Sequence, residues 1–342
     1  MLRYNSNGSL DSTFGGGDGI VNAAYYTYGG NAKSLALTTG GKIVVLQDFY
    51  TTYNGYTAGL LSRYNSDGSL DVTFDGDGRL PLFTLSVSYD DVAVQADGKI
   101  LVVENVWGSG STISDLSLVR YNVDGSLDTT FGNGGKVQEN GVAGILDEPN
   151  VLLQSDGKIL VGTTKGNNVT RFELIRYNPD GSPDNSFGTG GSVSTQFRDS
   201  FTAELDLIVL QNDGKTIAAG RNFLFYTDAA TVIARYNADG TLDTSFGGGD
   251  GWVDWSYNAG ATDSVKGLTI QADGKILVMS ELDSGQVYLS RLNSNGSFDT
   301  TFKGDTIGIT GQGGNEETLT LQADGKILAV TEDRVLVSCD QS

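Results

Sequence analysis

The chain has 342 residues, including 48 glycines and four prolines, and its formal net charge at pH 7 is −20. This acidity argues against a nucleic-acid partner, because such binding depends on clustered Lys and Arg side chains. Histidine is absent and Cys339 is the only cysteine, which excludes Ser-His-Asp and Cys-His catalysis, histidine-based zinc sites and intrachain disulfides. No transmembrane segment or signal peptide is visible, so membrane insertion is not expected.

An arginine is followed eight residues later by an aspartate and three further on by a phenylalanine, and this pattern occurs six times at intervals of 56 to 60 residues. The residues are Arg3, Arg63, Arg120, Arg176, Arg235 and Arg291; Asp11, Asp71, Asp128, Asp184, Asp243 and Asp299; Phe14, Phe74, Phe131, Phe187, Phe246 and Phe302. Such a period is typical of repeat proteins, whose units bury their faces against each other. We predict one domain over residues 1–342, with units that start near residues 3, 63, 120, 176, 235 and 291.

The predicted strands follow one order along the chain, which begins within a repeat. Residues 2–5 and 19–22 are expected to form strands C and D of a first, incomplete unit. Each later unit starts with two alternating strands, A and B, around a turn in which glycine accepts a positive φ. Strand C, as at residues 116–122, and a short strand D, as at residues 136–137, complete an antiparallel meander. The A-to-B turns are Gly40-Gly41, Asp97-Gly98, Asp156-Gly157, Asp213-Gly214, Asp273-Gly274 and Asp324-Gly325.

The two ends of the chain supply complementary halves of a sheet. The N-terminus provides strands C and D, whereas residues 317–322 and 326–331 provide strands A and B. This predicts an all-β fold, a six-bladed β-propeller of four-stranded antiparallel blades, closed as a ring by N- and C-terminal strands that share one blade. Residues 334–338 also resemble a strand C and compete with residues 2–5 for that place, and both alternatives stay open.

Two recurring strings carry a family resemblance. They are ADGKIL at residues 96–101, 272–277 and 323–328, and RYNxDGSLDxTF at residues 63–74 and 120–131. The pattern resembles the delta-60 repeat, a bacterial domain of unknown function regarded as propeller-forming, and its layout is similar to that of NHL-type six-bladed propellers. The resemblance implies a scaffold, often at the cell surface, with strand A lining a central channel. We therefore expect an extracellular or cell-surface location as part of a larger protein.

The repeated charged residues are expected to be structural. Arg120 shares a strand face with Leu116 and Leu118, so its guanidinium should be covered and should need a partner. Asp128 lies within reach across the C-to-D hairpin. Since the same pair occurs in all six copies, an ion pair that builds the scaffold is favoured over a catalytic pair.

Function is expected on the rim that carries the variable B-to-C and D-to-A connections, opposite the repeated turns. Acidic residues there, just before strand A at the expected channel mouth, could hold a hard cation such as Ca²⁺. The alternative is that they are solvated loop charges. The candidate metal ligands are Asp90, Asp147, Glu204, Asp263 and Glu316.

Aromatic residues also lie in or beside the variable connections. Tyr and Trp combine a flat apolar face with a polar tip, which suits them to stack on sugars or to anchor a protein partner. The alternative is that they pack under long loops or between blades. The candidate ligand-binding residues are Tyr26, Tyr53, Trp107, Phe225 and Trp255.

These features favour a non-catalytic, monomeric binding or adhesion module that recognises a glycan or a protein through the variable-loop rim, with a cation at the channel mouth. The alternatives are a calcium-dependent lactonase or a glycoside hydrolase with paired carboxylates, or a purely architectural repeat of a larger surface or phage protein. No catalytic residue is assigned.

Overall fold

The structure is a computed structural model that describes residues 1–23, 30–50, 57–82, 87–107, 114–143, 148–166, 169–197, 202–225, 228–257, 263–302, 309–310, 318–322, 325–331 and 334–337. These residues form strands and turns, with a single turn of 3₁₀ helix at Gly247–Gly249. None of the described segments forms a helix long and apolar enough to cross a membrane.

The strands form six antiparallel sheets, five with four strands and one with three. The first two sheets follow chain order and contain β1 (Gly30–Leu37), β2 (Ile43–Tyr50), β3 (Thr57–Tyr64) and β4 (Arg79–Leu82), then β5 (Val87–Val94), β6 (Ile100–Trp107), β7 (Ser114–Tyr121) and β8 (Lys136–Ala143). The third sheet contains β9 (Asn150–Leu153), β10 (Ile159–Lys165), β11 (Arg171–Tyr177) and β12 (Ser192–Thr195).

The remaining sheets also follow chain order. They contain β13 (Thr202–Leu210), β14 (Thr216–Phe225), β15 (Asp228–Tyr236) and β16 (Trp252–Trp255); β17 (Asp263–Ile270), β18 (Ile276–Leu282), β19 (Gln286–Leu292) and β20 (Ile309–Thr310); and β21 (Thr318–Leu321), β22 (Ile327–Thr331) and β23 (Arg334–Val337). The chain divides into two compact units, residues 1–159 with 177–182 and residues 160–176 with 183–342.

The predicted A-B-C-D meander is confirmed, and its turns have the expected geometry. In the second sheet the N–H of Gln95 donates to the carbonyl of Lys99 at 2.8 Å, and Gly98 closes the turn with a φ of 84°. Strand D is longer than predicted in this sheet. Instead of two residues, β8 runs from Lys136 to Ala143, because it continues to pair with β7 beyond a β-bulge.

The ends of the chain differ from the simple closing blade. β22 pairs with β21 on one side and with β23 on the other, so residues 334–337 take the strand-C place beside β22. At the N-terminus, Leu2 pairs with Ile20 through an isolated bridge. The shared blade stays a prediction.

Each sheet buries apolar side chains against the next sheet of its unit. In the first unit, Val44 and Leu46 of β2 pack in one cluster with Val92 of β5 and Val102 of β6. The second unit has an equivalent cluster between the fourth and fifth sheets, which includes Ile217 and Val278. Because β6 has neighbours on both faces, four consecutive residues at 100–103 are fully buried. The core is therefore a series of layers between consecutive repeats.

The repeated Arg, Asp and Phe form one hub in each copy. Arg63 donates from Nε to Asp71 Oδ2 at 2.6 Å, and its guanidinium lies 4.8 Å from the centre of the Phe74 ring. Lys42, from the A-to-B turn, donates to the same carboxylate oxygen at 2.6 Å. The Arg–Asp pair occurs in all six copies at 2.6–2.8 Å, which confirms the predicted ion pair.

The same arginine also reaches the next repeat. Arg63 Nη1 donates to the carbonyl of Val123, which precedes the aspartate of the next C-to-D turn. A backbone bond lies beside it, since the N–H of Asp75 donates to the carbonyl of Asp124 at 2.8 Å. Equivalent arginine-to-carbonyl bonds are Arg3 to Ser66, Arg120 to Pro179, Arg176 to Ala238 and Arg235 to Ser294. The hub therefore joins each repeat to its successor.

The hub carboxylates are held ionised. Desolvation alone would raise the pKa of Asp71, but hydrogen bonds from Lys42, Thr73 and Arg63 outweigh it and hold this pKa well below its usual value. A carboxylate with a depressed pKa in the folded state stabilises the fold fully above its unfolded pKa, which is about 3.9. This contribution is lost as the pH falls further.

We expect Asp71→Ala to destabilise the protein strongly, because it leaves Arg63 buried without its carboxylate. Both side chains of this pair are 3% exposed, and breaking such a pair typically costs about 3–5 kcal/mol. The matched control is Asp11→Ala, because the Arg3–Asp11 pair is 33% and 17% exposed and should matter less. Thermal unfolding measures both variants, and equal losses of melting temperature would contradict this role of burial.

Candidate functional site

Three of the five predicted aromatic residues begin variable connections. Trp107, Phe225 and Trp255 are the last residues of β6, β14 and β16. Tyr26 and Tyr53 lie outside the described residues. The placement agrees with the expectation that these aromatics mark variable segments, while their role in binding stays a prediction.

Trp255 belongs to an aromatic cluster between the fourth and fifth sheets. Its ring is edge-on to those of Tyr257 and Phe298, with centroids 6.3 and 5.1 Å away. Tyr257 stacks on Tyr288 at 4.2 Å and shares a hydrogen bond of 2.7 Å with the Ser290 hydroxyl. Trp255 also packs on the core of these sheets but is only half-buried. One side of the indole thus serves packing, as the alternative interpretation expected.

Three of the five predicted metal ligands are described. Asp90, Glu204 and Asp263 stand at or near the start of β5, β13 and β17, whereas Asp147 and Glu316 lie outside the described residues. The described part of the chain contains no group of three or more Asp, Glu, Cys or His side chains that could hold a metal ion. The calcium site stays a prediction.

In the first unit, a lysine stands among the predicted acidic residues. Lys33 Nζ lies 3.5 Å from a carboxylate oxygen of Glu148 and 3.9 Å from one of Asp48. It also interacts electrostatically with Asp90, whose Oδ2 accepts a hydrogen bond from the Ser88 hydroxyl at 3.1 Å. We call these four charged residues, Lys33, Asp48, Asp90 and Glu148, the Lys33 cluster. The ammonium group of Lys33 therefore supplies positive charge at the place where a bound cation was expected.

β-bulges place two of these side chains, those of Lys33 and Asp90. The register of strand A shifts by one residue in four sheets, and the extra residue is Lys33 in β1, Asp90 in β5, Asp206 in β13 and Lys266 in β17. A bulge re-aims one side chain away from the regular alternation of the strand. The same position therefore carries a base in two copies and an acid in two others. The sequence pattern showed the acidic residues but not this shared position.

Two further carboxylates tie consecutive A strands together. Asp91 accepts from the Ser34 hydroxyl at 2.6 Å and from the N–H of Val151 at 2.8 Å. In the second unit Asp206 accepts from the N–H of Val265 at 2.8 Å, with Arg221 Nη2 at 3.3 Å from its other oxygen. Part of the acidic run is therefore structural.

The two other described candidates have different surroundings. Glu204 forms an ion pair with Arg221 at 3.2 Å. Asp263 is fully buried at the start of β17, where its charge raises the pKa of the nearby Tyr257 hydroxyl, after burial, which is the larger cause. The described candidates thus have different local partners.

Asp90 has the electrostatic property that distinguishes the Lys33 cluster. Burial raises the pKa of Asp90 to about 7, with Lys33 acting to lower it and Glu148 to raise it further. Asp90 can therefore exchange a proton near neutral pH. Groups of this kind occur at functional sites and also in structural networks.

Three grooves lie at equivalent places, each between the C-to-D segment of one repeat and the turn of the next. Their volumes are about 590, 600 and 500 Å³. Hydroxyl groups and glycine backbone line all three, including Thr13 with Ser69, Thr130 with Ser182 and Thr189 with Thr241. These grooves lie along the repeated hairpins, where the sequence predicted scaffold.

The six-fold meander and the repeated hub define a propeller-type repeat protein. The family described as "Domain of unknown function (DUF5122) beta-propeller" matches residues 1–14, 41–74, 95–131, 154–187, 211–246 and 271–302. The chain belongs to this family, and the predicted resemblance to a propeller-forming repeat of unknown function is confirmed. The comparison with curated proteins gives no match.

Solved structures with similar folds share little sequence with this chain. A complex of an alpha-L-arabinofuranosidase mutant from Fusarium graminearum with an iminosugar inhibitor has a TM-score of 0.54 and 8% identity, over 90% of this chain and 91% of the other. A lectin from Burkholderia pseudomallei has a TM-score of 0.50 and 11% identity, over 90% and 84%. An ulvan lyase has a TM-score of 0.50 and 10% identity, over 86% and 75%. At these identities the likeness shows the fold alone.

The raised pKa of Asp90 predicts a pH dependence of stability. Between about pH 4 and pH 7 the folded state keeps a proton that the unfolded state has released, so the free energy of unfolding should fall as the pH rises through this window. Asp90→Asn should flatten that slope and raise the melting temperature at pH 8. An NMR titration of the carboxyl carbons checks the cause, and an Asp90 midpoint near pH 4 would contradict it.

Proposed function

We propose that this chain is a non-catalytic, monomeric binding module whose variable connections recognise a glycan. The observation that carries the proposal is that the repeated charged groups are already bonded to one another. In each hub the aspartate is engaged by its own arginine, and the arginine is engaged further by an aromatic ring. The repeats therefore offer little free polar chemistry, which leaves recognition to the variable connections.

The comparisons support the glycan part of the proposal. Among solved structures with similar folds are a lectin, an ulvan lyase and an alpha-L-arabinofuranosidase, and each of these names refers to carbohydrate binding or chemistry. Half-buried aromatics such as Trp255 suit stacking on a sugar face. A glycan is thus favoured over a protein ligand. We also propose that the chain works outside the cell or at its surface, as part of a larger protein.

An enzyme is the second candidate, and Asp90 favours it. A carboxyl group with a pKa of about 7 can donate a proton near neutral pH, and glycoside hydrolysis pairs such a group with a second carboxylate about 5–10 Å away. Glu148 interacts electrostatically with Asp90 but is 76% exposed at its side chain. Binding is the simpler proposal, because a largely solvated partner is poorly shielded from water.

We expect the protein to bind glycans on an array. Trp107→Ala and Trp255→Ala should each weaken this binding by about tenfold or more, because stacking residues contribute a large share of sugar affinity. The control is Val72→Ala, an exposed apolar residue of a repeated hairpin. Arrays run with Ca²⁺ and with EDTA test the proposed cation, since a metal-dependent site would lose binding in EDTA. Equal binding by both tryptophan variants and the control would remove these residues as anchors.

We further infer that residues 1–342 form one domain, a closed six-bladed ring whose terminal strands share a blade. Within the residues that the structure describes, the last sheet has three strands where the others have four. At the other end of the chain, Leu2, Tyr4 and Ile20 are exposed to 56%, 57% and 44%. Apolar side chains at an open sheet edge are typical of a surface that another strand covers.

A shared blade predicts that Leu2→Asp and Tyr4→Asp lower the melting temperature by several degrees, because both side chains would lose apolar burial. In the structure residues 334–337 hold the strand-C place beside β22, so a shared blade requires residues 2–5 to replace them, and truncation after Thr331 should then have little effect. Val72→Asp, at an exposed hairpin position, serves as the control. The opposite pattern, with tolerated aspartates and a destabilising truncation, would assign the strand-C place to residues 334–337 and contradict the shared blade.

A further inference from the structure

Among these three grooves, the one beside β11 and β12 is lined by a buried carboxylate, that of Glu173. It has a volume of about 500 Å³, within the range of about 300–1,000 Å³ typical of small-molecule sites. Its walls include Lys165, Glu173, Thr189, Ser192 and Thr241. We call it the Glu173 groove.

Glu173 is a buried carboxylate with one oxygen that accepts no hydrogen bond from the described residues. It is 0% exposed. Its Oε1 accepts a hydrogen bond from Lys165 Nζ at 3.0 Å and another from the Ser192 hydroxyl. Its Oε2 is buried and has no hydrogen-bond partner within the described part of the chain. Because a buried carboxylate oxygen normally accepts at least one hydrogen bond, this atom needs a further donor, which is either an ordered water or a bound ligand.

The carboxylate is also specific to this repeat. Glu173 lies three residues before Arg176, and the corresponding positions are Leu60, Ser117, Val232 and Tyr288 in other copies. The scaffold therefore does not need an acid at this position.

The charges in the groove favour a neutral donor. Lys165 already neutralises Glu173, so a cationic ligand would meet the ammonium group only 3.0 Å from the carboxylate. An anionic ligand would be repelled by the carboxylate itself. A hydroxyl group can donate to Oε2 without either penalty, and its oxygen can accept from the Lys165 ammonium, whose side chain is 45% exposed. Thr189, Ser192 and Thr241 add hydroxyls at the walls.

We propose that the Glu173 groove is a binding site for a neutral saccharide, separate from the variable connections. Sugar oxygens accept from Lys165 and the wall hydroxyls. One sugar hydroxyl donates to Glu173 Oε2, which requires side chains at the groove wall to move, because this atom is buried. The proposal shares the glycan class of the proposed function but rests on different residues. Since the groove offers hydrogen bonds and no stacking aromatic, we expect affinity in the millimolar range.

The test is a titration of ¹⁵N-labelled protein with glucose, galactose, arabinose and rhamnose, followed by NMR. We expect at least one sugar to shift the amide signals of Thr189, Ser192 and Thr241 to saturation. Glu173→Gln should weaken this binding by about tenfold, which corresponds to about 1.4 kcal/mol, because the strong acceptor is lost. The matched control is Glu104→Gln. Glu104 is also buried beside a lysine, Lys136, at 3.7 Å, but does not line the Glu173 groove.

Thr189→Arg provides a second variant that is independent of the buried ion pair. Thr189 is exposed, so a long side chain there should block the groove while leaving the fold intact. Absence of saturable shifts with all four sugars would overturn the proposal. So would wild-type affinity in Thr189→Arg, even if Glu173→Gln does not fold. Binding that depends on Trp107 or Trp255 but not on Thr189 would support the variable-rim site and overturn this one.

Discussion

The fold depends on one side chain that belongs to two repeats at once. Arg63 is bonded to the carboxylate of its own hairpin, packed over its own phenylalanine and bonded to a backbone carbonyl of the next repeat. A guanidinium can do this because its planar fork has five donors and its face packs on aromatic rings. A lysine has neither property. Each unit therefore completes its polar bonding only when its successor is in place.

This constraint explains why the protein can vary so much elsewhere. The hub and the layers of apolar residues between sheets set the orientation of each repeat, so the connections at the other end of the strands carry little of the folding information. The bulge of strand A shows the result. One backbone position holds Lys33 in one sheet and Asp90 in the next, and the surrounding strands pair in the same way.

The sequence predicted the parts of the structure that depend on local spacing. The eight-residue interval from Arg to Asp anticipated the hub, and the Asp-Gly turns anticipated the hairpins, because both involve residues close in the chain. The bond from Asp91 to the N–H of Val151 could not be foreseen, since it joins residues 60 positions apart. Glu173 was missed for a related reason, because a single glutamate on a strand shows neither its burial nor its unused oxygen. The sequence of residues 334–337 predicted a strand but left its place open, and the structure shows that this strand pairs with β22.

The candidate sites follow from the same division of roles. The Lys33 cluster arises where a bulge re-aims side chains, and the Glu173 groove arises where one repeat departs from its copies. In both places the local chemistry is absent from the common pattern, whereas the repeated charges satisfy each other. The local chemistry can thus differ from one repeat to another while the scaffold stays the same.

Hydrogen exchange at the amide of Asp75 reports on the coupling between neighbouring repeats, because this N–H crosses to the carbonyl of Asp124 in the next repeat. Arg63→Lys keeps the positive charge but removes the fork that joins the two repeats. We expect exchange about tenfold faster or more at Asp75 in this variant, equivalent to about 1.4 kcal/mol, with a smaller change at amides inside β3. An unchanged exchange rate at Asp75 would contradict the claim that the arginine couples neighbouring repeats.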